Sequence, residues 1–63
     1  MRQFVMRCGR SPKYYIRADA ADAVWVLAKV GDREAVELLS SLASDEDEAV
    51  RSNGRYCLKK LSE

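Results

Sequence analysis

The residues of this 63-residue chain that are best suited to chemistry are an acidic run and two cysteines. The acidic run, from Asp45 to Glu48, offers oxygen ligands for a divalent cation, but it lacks the glycine and the distal glutamate of a calcium loop. Helix capping is the better interpretation, because carboxylates stabilise the positive start of a helix. The chain has no histidine, the commonest general base and metal ligand. We therefore expect no catalytic residue, no metal site and no cofactor.

The two cysteines are Cys8 and Cys57, too few for a disulfide framework and too widely spaced for a metal knuckle. Cys57 lies on the apolar face of a predicted helix, which indicates a small core residue. A reactive thiol at Cys8 is the less favoured alternative to an ordinary near-terminal cysteine. Free thiols, no secretory signal and no apolar run of membrane-spanning length predict a cytoplasmic protein.

Charge is unevenly distributed along the chain, although the net charge is only +1. Residues 1–17 carry five bases and no acid, residues 18–50 are mainly acidic, and residues 51–63 are again basic. Basic residues can contact phosphates, and aromatic residues can stack on nucleobases, so a mixture of the two suits nucleic-acid binding. The alternative is a basic helix start that balances the acidic middle. The candidate nucleic-acid residues are Arg2, Arg7, Arg10, Lys13, Tyr15 and Arg17.

Apolar residues recur at helical spacing after residue 11, so the chain is predicted to be all-α. Glycine and acidic residues divide it at two short corners, and short connections favour antiparallel helix hairpins. The expected organisation is a single domain, 1–63, with an N-terminal segment at 1–11 and helices at 12–30, 33–43 and 48–61.

The expected helix limits follow from residues with known preferences at helix ends. Ser11 and Pro12 favour the start of the first predicted helix. Asp32 and Asp47 are the expected caps of the second and third. In the N-terminal segment helical and strand periods both fit, and we prefer a short helix that ends with Gly9 as its C-cap.

The first predicted helix has two apolar faces, whereas a helix in a simple hairpin needs only one. One face comprises Ile16, Ala20, Ala23, Val24, Leu27 and Val30, and the other comprises Tyr14, Ala18, Ala21, Trp25 and Ala28. Contacts on two sides are therefore expected, within a stack of helices or with a second copy. The second face makes Tyr14 and Trp25 a candidate hot spot for a protein partner.

The third predicted helix combines a basic edge with an interior glycine. Arg51, Arg55 and Lys59 lie four residues apart along one solvent-exposed edge and complete the candidate partner-binding set. Gly54 lies on the apolar face, where glycine costs about 1 kcal/mol relative to alanine in a helix interior. We therefore expect another backbone to approach closely at this position.

Part of the chain repeats, because Leu27–Gly31 returns as Leu58–Ser62 at an offset of 31 residues. A period of that size is typical of α-solenoids. A longer pattern reads Gly31-Asp32-Arg33-Glu34-Ala35-Val36, Leu38-Leu39, Leu42, Asp45-Glu46-Asp47 and Val50-Arg51. Over residues 23–62 it resembles the HEAT-like repeat of the phycobilisome-lyase type.

The resemblance implies an α-solenoid of antiparallel helix pairs that acts as a non-catalytic interaction or scaffolding module. It also implies that Arg51 reaches Asp45 or Asp47, as in the Asp–Arg ladder of that family. A protein partner, a second copy of the chain, or both are the expected partners. A small nucleic-acid-binding module is one alternative, and a bilin-lyase-like accessory protein, which rests on the resemblance alone, is another.

The chain departs from the family pattern at its beginning. Asp19-Ala20 stands where Val-Arg is expected, and Ile16-Arg17 comes one turn early. The chain then holds one full helix pair and one half pair, whereas about three repeats are normally needed for a stable stack. It is expected to be either a minimal form that self-associates into a homo-oligomer or a part of a longer array.

Overall fold

The computed structural model describes residues 1–63, and it contains four α-helices and no strand. The helices are α1 (Arg2–Gly9), α2 (Tyr14–Lys29), α3 (Arg33–Leu42) and α4 (Glu48–Ser62). The prediction of an all-helical fold is confirmed. The N-terminal segment forms a helix of its own, which is the alternative that we preferred. None of the four helices has both the length and the apolar character that a bilayer span requires.

Two aspartates start α3 and α4 as expected. The Asp32 carboxylate accepts a hydrogen bond from the backbone N–H of Ala35. The Asp47 carboxylate accepts two, from the N–H groups of Ala49 and Val50, at 2.9 and 3.1 Å. Each bond satisfies a donor that has no partner within its own helix.

The start of α2 differs from the prediction. Lys13 is the N-cap of this helix and makes no capping bond with its side chain, so α2 begins two residues after Pro12. The Ser11 hydroxyl instead accepts the backbone N–H of Lys13 at 3.2 Å. Ser11 and Pro12 therefore form the corner before the helix rather than its first turn.

The helix α2 lies at the centre of the fold and packs against all three others. Its contacts with α4 advance in the same direction along both helices. Near one end the Asn53 side-chain amide donates to the backbone oxygen of Ala18, and nearer the other end the Lys60 ammonium lies over the Trp25 ring. The two helices therefore run parallel and form one layer.

The helices α1 and α3 form the second layer. Arg2 at the start of α1 pairs with Asp32 at the start of α3, and Gly9 at the end of α1 lies against Leu38. These two helices are therefore also parallel, and each is joined to α2 by a short corner. Two layers of parallel helices, connected alternately, are the architecture of an α-solenoid.

The second apolar face of α2 is covered by α4 of the same chain. Ala21 and Ala28 on that face are buried. The first face packs on α1 and α3, with Ala20 and Val24 buried. The expectation of contacts on two sides therefore holds, but a second copy is not needed to provide them.

The end of α1 shows a different use of glycine from the one expected. Gly9 does not have the left-handed conformation of a C-cap glycine, which only Gly31 adopts, with φ of 98°. A Cβ atom at Gly9 would lie 2.7 Å from Cδ2 of Leu38. Gly9 therefore lets α1 approach α3 closely.

Gly54 confirms the expected close backbone approach. A Cβ atom at this position would lie 2.6 Å from the backbone nitrogen of Ala43 and 2.6 Å from the backbone carbonyl carbon of Leu42. The absence of a side chain thus brings α4 against the end of α3.

We predict that Gly54→Ala destabilises the protein, although alanine is the better helix former. Overpacking against backbone costs about 1–3 kcal/mol, which exceeds the gain of about 1 kcal/mol from helix propensity. Urea unfolding should show a lower free energy of unfolding. Ser52→Ala, on the exposed side of the same helix, is the control and should change it by less than about 0.5 kcal/mol. A stabilised Gly54→Ala protein would contradict the close approach.

Candidate interaction surfaces

The Arg17 side chain joins the two corners that precede α2 and α4. Its Nη1 donates to the backbone oxygen of Ser11 at 2.9 Å. Its Nε and Nη2 donate to the two carboxylate oxygens of Asp45 at 2.9 and 3.0 Å. This bidentate pair, together with the backbone N–H of Asp47, holds the pKa of Asp45 below its usual value. Arg17, a candidate nucleic-acid residue, is therefore used inside the fold.

The side chain of Arg51 does not reach a carboxylate, which corrects the expectation from the family pattern. Its Nη1 donates to the backbone oxygens of Asp45 and Glu46, at 3.1 and 3.4 Å. The contact with Asp45 spans six residues, as does the contact of Arg17 with Ser11. Arg51 thus ties its own corner together, and it is Arg17 that binds the Asp45 carboxylate.

These matched contacts set the true period of the repeat. Arg17 and Arg51 are 34 residues apart, as are their carbonyl acceptors and the N-caps of α2 and α4. The offset of 31 residues was therefore wrong for these two helices. Ile16-Arg17 is the counterpart of Val50-Arg51, and the supposed departure at Asp19-Ala20 disappears.

The other two residues of the predicted basic edge, Arg55 and Lys59, differ in their contacts. Arg55 donates from Nε to the backbone oxygen of Ala43 at 3.0 Å, which satisfies a carbonyl at the end of α3. Lys59 is exposed and makes no hydrogen bond or ion pair. The edge is therefore partly structural, and its outer side faces solvent.

The structure places Tyr14 and Trp25, the predicted hot-spot pair, in different surroundings on α2. Trp25 is half-buried, and the Nζ atoms of Lys60 and Lys29 lie 4.2 and 5.1 Å from a ring centroid, within cation–π range. Its indole Nε1 is buried without an acceptor. Tyr14 is exposed and packs edge-to-face on Tyr15. Tyr14 and Trp25 are eleven positions apart in the same helix, which separates them by about 16 Å along its axis.

Two more basic residues of the candidate nucleic-acid set form ion pairs with acidic residues at the start of α3. Arg2 binds the carboxylates of Asp32 and Glu34, and Arg10 binds Glu34 at 3.0 Å. The hydrogen bonds from Arg2 and then Arg10 hold the pKa of Glu34 below its usual value. Of the predicted bases, Arg7 and Lys13 are the ones that form no internal ion pair.

An apolar groove of about 260 Å³ lies between α1 and α2. We call it the α1–α2 groove, and its lining residues are Phe4, Val5, Cys8, Ile16, Asp19, Ala20 and Ala23. Phe4 at its edge is 64% exposed. Ile16, Ala20 and Ala23 belong to the predicted first apolar face of α2, but the short helix α1 covers only part of that face.

The repeat explains what kind of surface this groove is. Shifting its seven residues by the period of 34 gives Leu38, Leu39, Leu42, Val50, Asn53, Gly54 and Cys57. All of these except Asn53 are buried, and Asn53 bonds to α2. The second repeat, α3 and α4, therefore has an equivalent surface that is packed inside the protein, whereas in the first repeat this surface is left uncovered as the groove. Aligning Ser11–Arg17 with Asp45–Arg51 was the signal in the sequence that reveals it.

Cys57 has the environment of a core residue. It is 2% exposed, and its thiol donates to a carboxylate oxygen of Asp22 at 3.3 Å. Burial, and secondarily the contact with Asp22, raise the pKa of the Cys57 thiol to about 11. The thiolate that a nucleophile requires is thus disfavoured near neutral pH.

We predict that Cys8 is alkylated well before Cys57. Cys8 is partly exposed in the α1–α2 groove, whereas Cys57 must first be uncovered by unfolding. Iodoacetamide labelling at neutral pH, followed by mass spectrometry of peptides, measures both rates. Urea should equalise them. Equal rates in the native protein would contradict the buried position of Cys57.

We predict that the Arg17–Asp45 pair makes stability fall in acid. The folded-state pKa of Asp45 is lowered, so its contribution is present above the unfolded value of about 4 and is lost as the pH falls through the folded value. Asp45→Asn should lower the free energy of unfolding at pH 7 and flatten its decline in acid. Glu46→Gln, whose carboxylate makes no ion pair, is the control. Identical acid profiles for Asp45→Asn and the unmodified protein would contradict the prediction.

Two layers of parallel helices with matched corners define the chain as a helical-repeat protein. The sequence model of the family described as HEAT repeats matches residues 7–63. The chain therefore belongs to the HEAT repeat family, whose members are generally non-catalytic scaffolds for protein interactions. Searches of curated proteins and of solved structures found no significant match.

Proposed function

We propose that this chain is a non-catalytic interaction module that self-associates through the α1–α2 groove. The observation that carries the proposal is the equivalence of the groove with the packed surface of α3 and α4. Six of the seven equivalent positions are buried there, so the same pattern of residues has already formed an interface once in this molecule. In the groove only Ala20 is buried, and the other six positions face solvent or are partly covered.

The exposed apolar residues support the same surface. Phe4 lies at the groove, and Val26 and Val30 continue the α2 side of it at spacings of three and seven residues from Ala23. All three are more than half exposed. Contiguous apolar surface on a small protein is typical of an interaction site.

The chemistry of the two ends favours a face-to-face pair of copies. The groove is apolar and contains Asp19 as its one charged lining residue. The opposite end presents Arg55, Tyr56 and Lys59, a polar surface that does not match it. Two grooves are alike, and a two-fold dimer requires such a self-complementary patch.

We predict that Phe4→Ser weakens self-association and that Tyr56→Ser does not. Both aromatic side chains are 64% exposed, so neither change should unfold the protein, and only Phe4 lies at the groove. Loss of a buried phenylalanine contact should raise the dissociation constant at least about tenfold. Sedimentation equilibrium over a wide concentration range measures this constant.

A mass of 7.1 kDa at every concentration would contradict self-association and leave the chain as a module for a different protein. Equal weakening by the two substitutions would contradict the α1–α2 groove as the interface between the copies. Circular dichroism of both variants confirms that the helices are retained.

Nucleic-acid binding through residues 2–17 has less support. Arg2, Arg10 and Arg17 already bind carboxylates of the same chain, so a phosphate would have to displace them. The bilin-lyase-like role rests on the resemblance alone, and the proposal includes neither of these functions.

A cytoplasmic location is part of the proposal, supported by the two free cysteines.

A further inference from the structure

The Arg17 guanidinium shows how this protein holds a carboxylate between consecutive repeats. Nη1 is bound to the backbone of its own corner, which leaves the edge formed by Nε and Nη2 pointing to the next corner. The Asp45 carboxylate occupies that edge with two parallel hydrogen bonds. This fork geometry is specific for a planar carboxylate.

The Arg51 guanidinium is held at its own corner in the same way, but no carboxylate binds its second edge. Its Nη1 is bound to the backbone oxygens of Asp45 and Glu46. Neither Nε nor Nη2 forms a hydrogen bond or an ion pair. The side chain is half-buried and fixed at one end, so little conformational entropy would be lost when the second edge is filled.

The surface of α4 beyond Arg51 is basic and lies where a further helix would stack, whereas the corner on the other side of Arg51 is acidic. Arg55 and Lys59 follow on the same side of α4 at four-residue spacing. By the period of 34 they correspond to Ala21 and Trp25, which are on the face of α2 that α4 covers. From Arg51 to Ser62 the helix α4 carries no acid.

We propose that the Nε–Nη2 edge of Arg51 binds an aspartate at the start of a helix in an acidic protein partner. The partner aspartate takes the place that Asp45 takes against Arg17. Arg55 and Lys59 attract the acidic corner and increase the association rate. The proposal does not depend on self-association, because the α1–α2 groove lies at the opposite end of the stack.

A second copy of this chain fits the Arg51 surface poorly. Stacked in repeat register it would place Ser11, the counterpart of Asp45, opposite Arg51. Its first 17 residues carry five bases and no acid, so two basic surfaces would meet. Charge complementarity therefore favours a different, acidic protein.

The test uses the full chain and a blocked peptide with the sequence of residues 44–50, which contains the acidic corner that Arg17 recognises. NMR follows the Nε–Hε signals of the arginine side chains during titration. The Arg51 signal should shift and saturate, whereas the Arg17 signal, which already has its carboxylate, should not move. The same peptide with asparagine in place of its first aspartate should produce no saturable shift.

Arg51→Lys keeps the charge but loses the fork, and it should weaken peptide binding about tenfold, or about 1.4 kcal/mol. Arg33→Lys, at an exposed arginine without a partner on α3, is the matched control and should have no effect. An unmoved Arg51 signal at millimolar peptide, or unchanged binding by Arg51→Lys, would overturn the proposal. A shift of Arg51 with protein concentration alone would show that a second copy is the occupant and would overturn the choice of partner.

Discussion

The bidentate contact of Arg17 with Asp45 is the interaction on which the arrangement of the repeats depends. One planar guanidinium spans two corners, since it also holds the backbone oxygen of Ser11. Both charged side chains are largely removed from water, with exposures of 16% and 14%. Solvent therefore screens this pair less than the exposed pairs of Arg2. With the corners fixed in this way, α2 and α4 are parallel and separated by one full repeat.

Close contact between the helices depends on small residues. A Cβ atom would meet the backbone of α3 at Gly54 and the end of the Leu38 side chain at Gly9, and Ala21 on the central helix is completely buried. Small residues bring the backbones together, while the larger side chains of Leu39 and Val50 fill the space between them. A chain of 63 residues can then surround one central helix. That helix supplies the core, and its neighbours are left with surfaces that nothing in the chain covers.

The two ends of the stack differ chemically, and this difference is the basis for assigning them to different partners. The α1–α2 groove is apolar, because its residues are the counterparts of residues that are packed in the following repeat. The outer side of α4 is basic and carries an arginine edge that matches a carboxylate in an equivalent position. A solenoid whose two ends were complementary to each other could stack head to tail without limit. Unlike ends allow the module to join two surfaces of different character, as expected of a scaffold.

The sequence by itself determined the last three helices, the aspartate caps at Asp32 and Asp47, and the close approach at Gly54, because capping and periodicity depend on residues only a few positions apart. It also carried the family pattern. Only the tertiary structure decided that Arg17 rather than Arg51 binds Asp45, that Lys60 covers Trp25, and that the groove beside Phe4 remains uncovered. The physical reason is that the contacts of Arg17 with Asp45 and of Trp25 with Lys60 join residues 28 and 35 positions apart. If the period is taken as 31 instead of 34, every predicted contact between the two repeats changes. The capping and helix preferences of the individual residues stay the same.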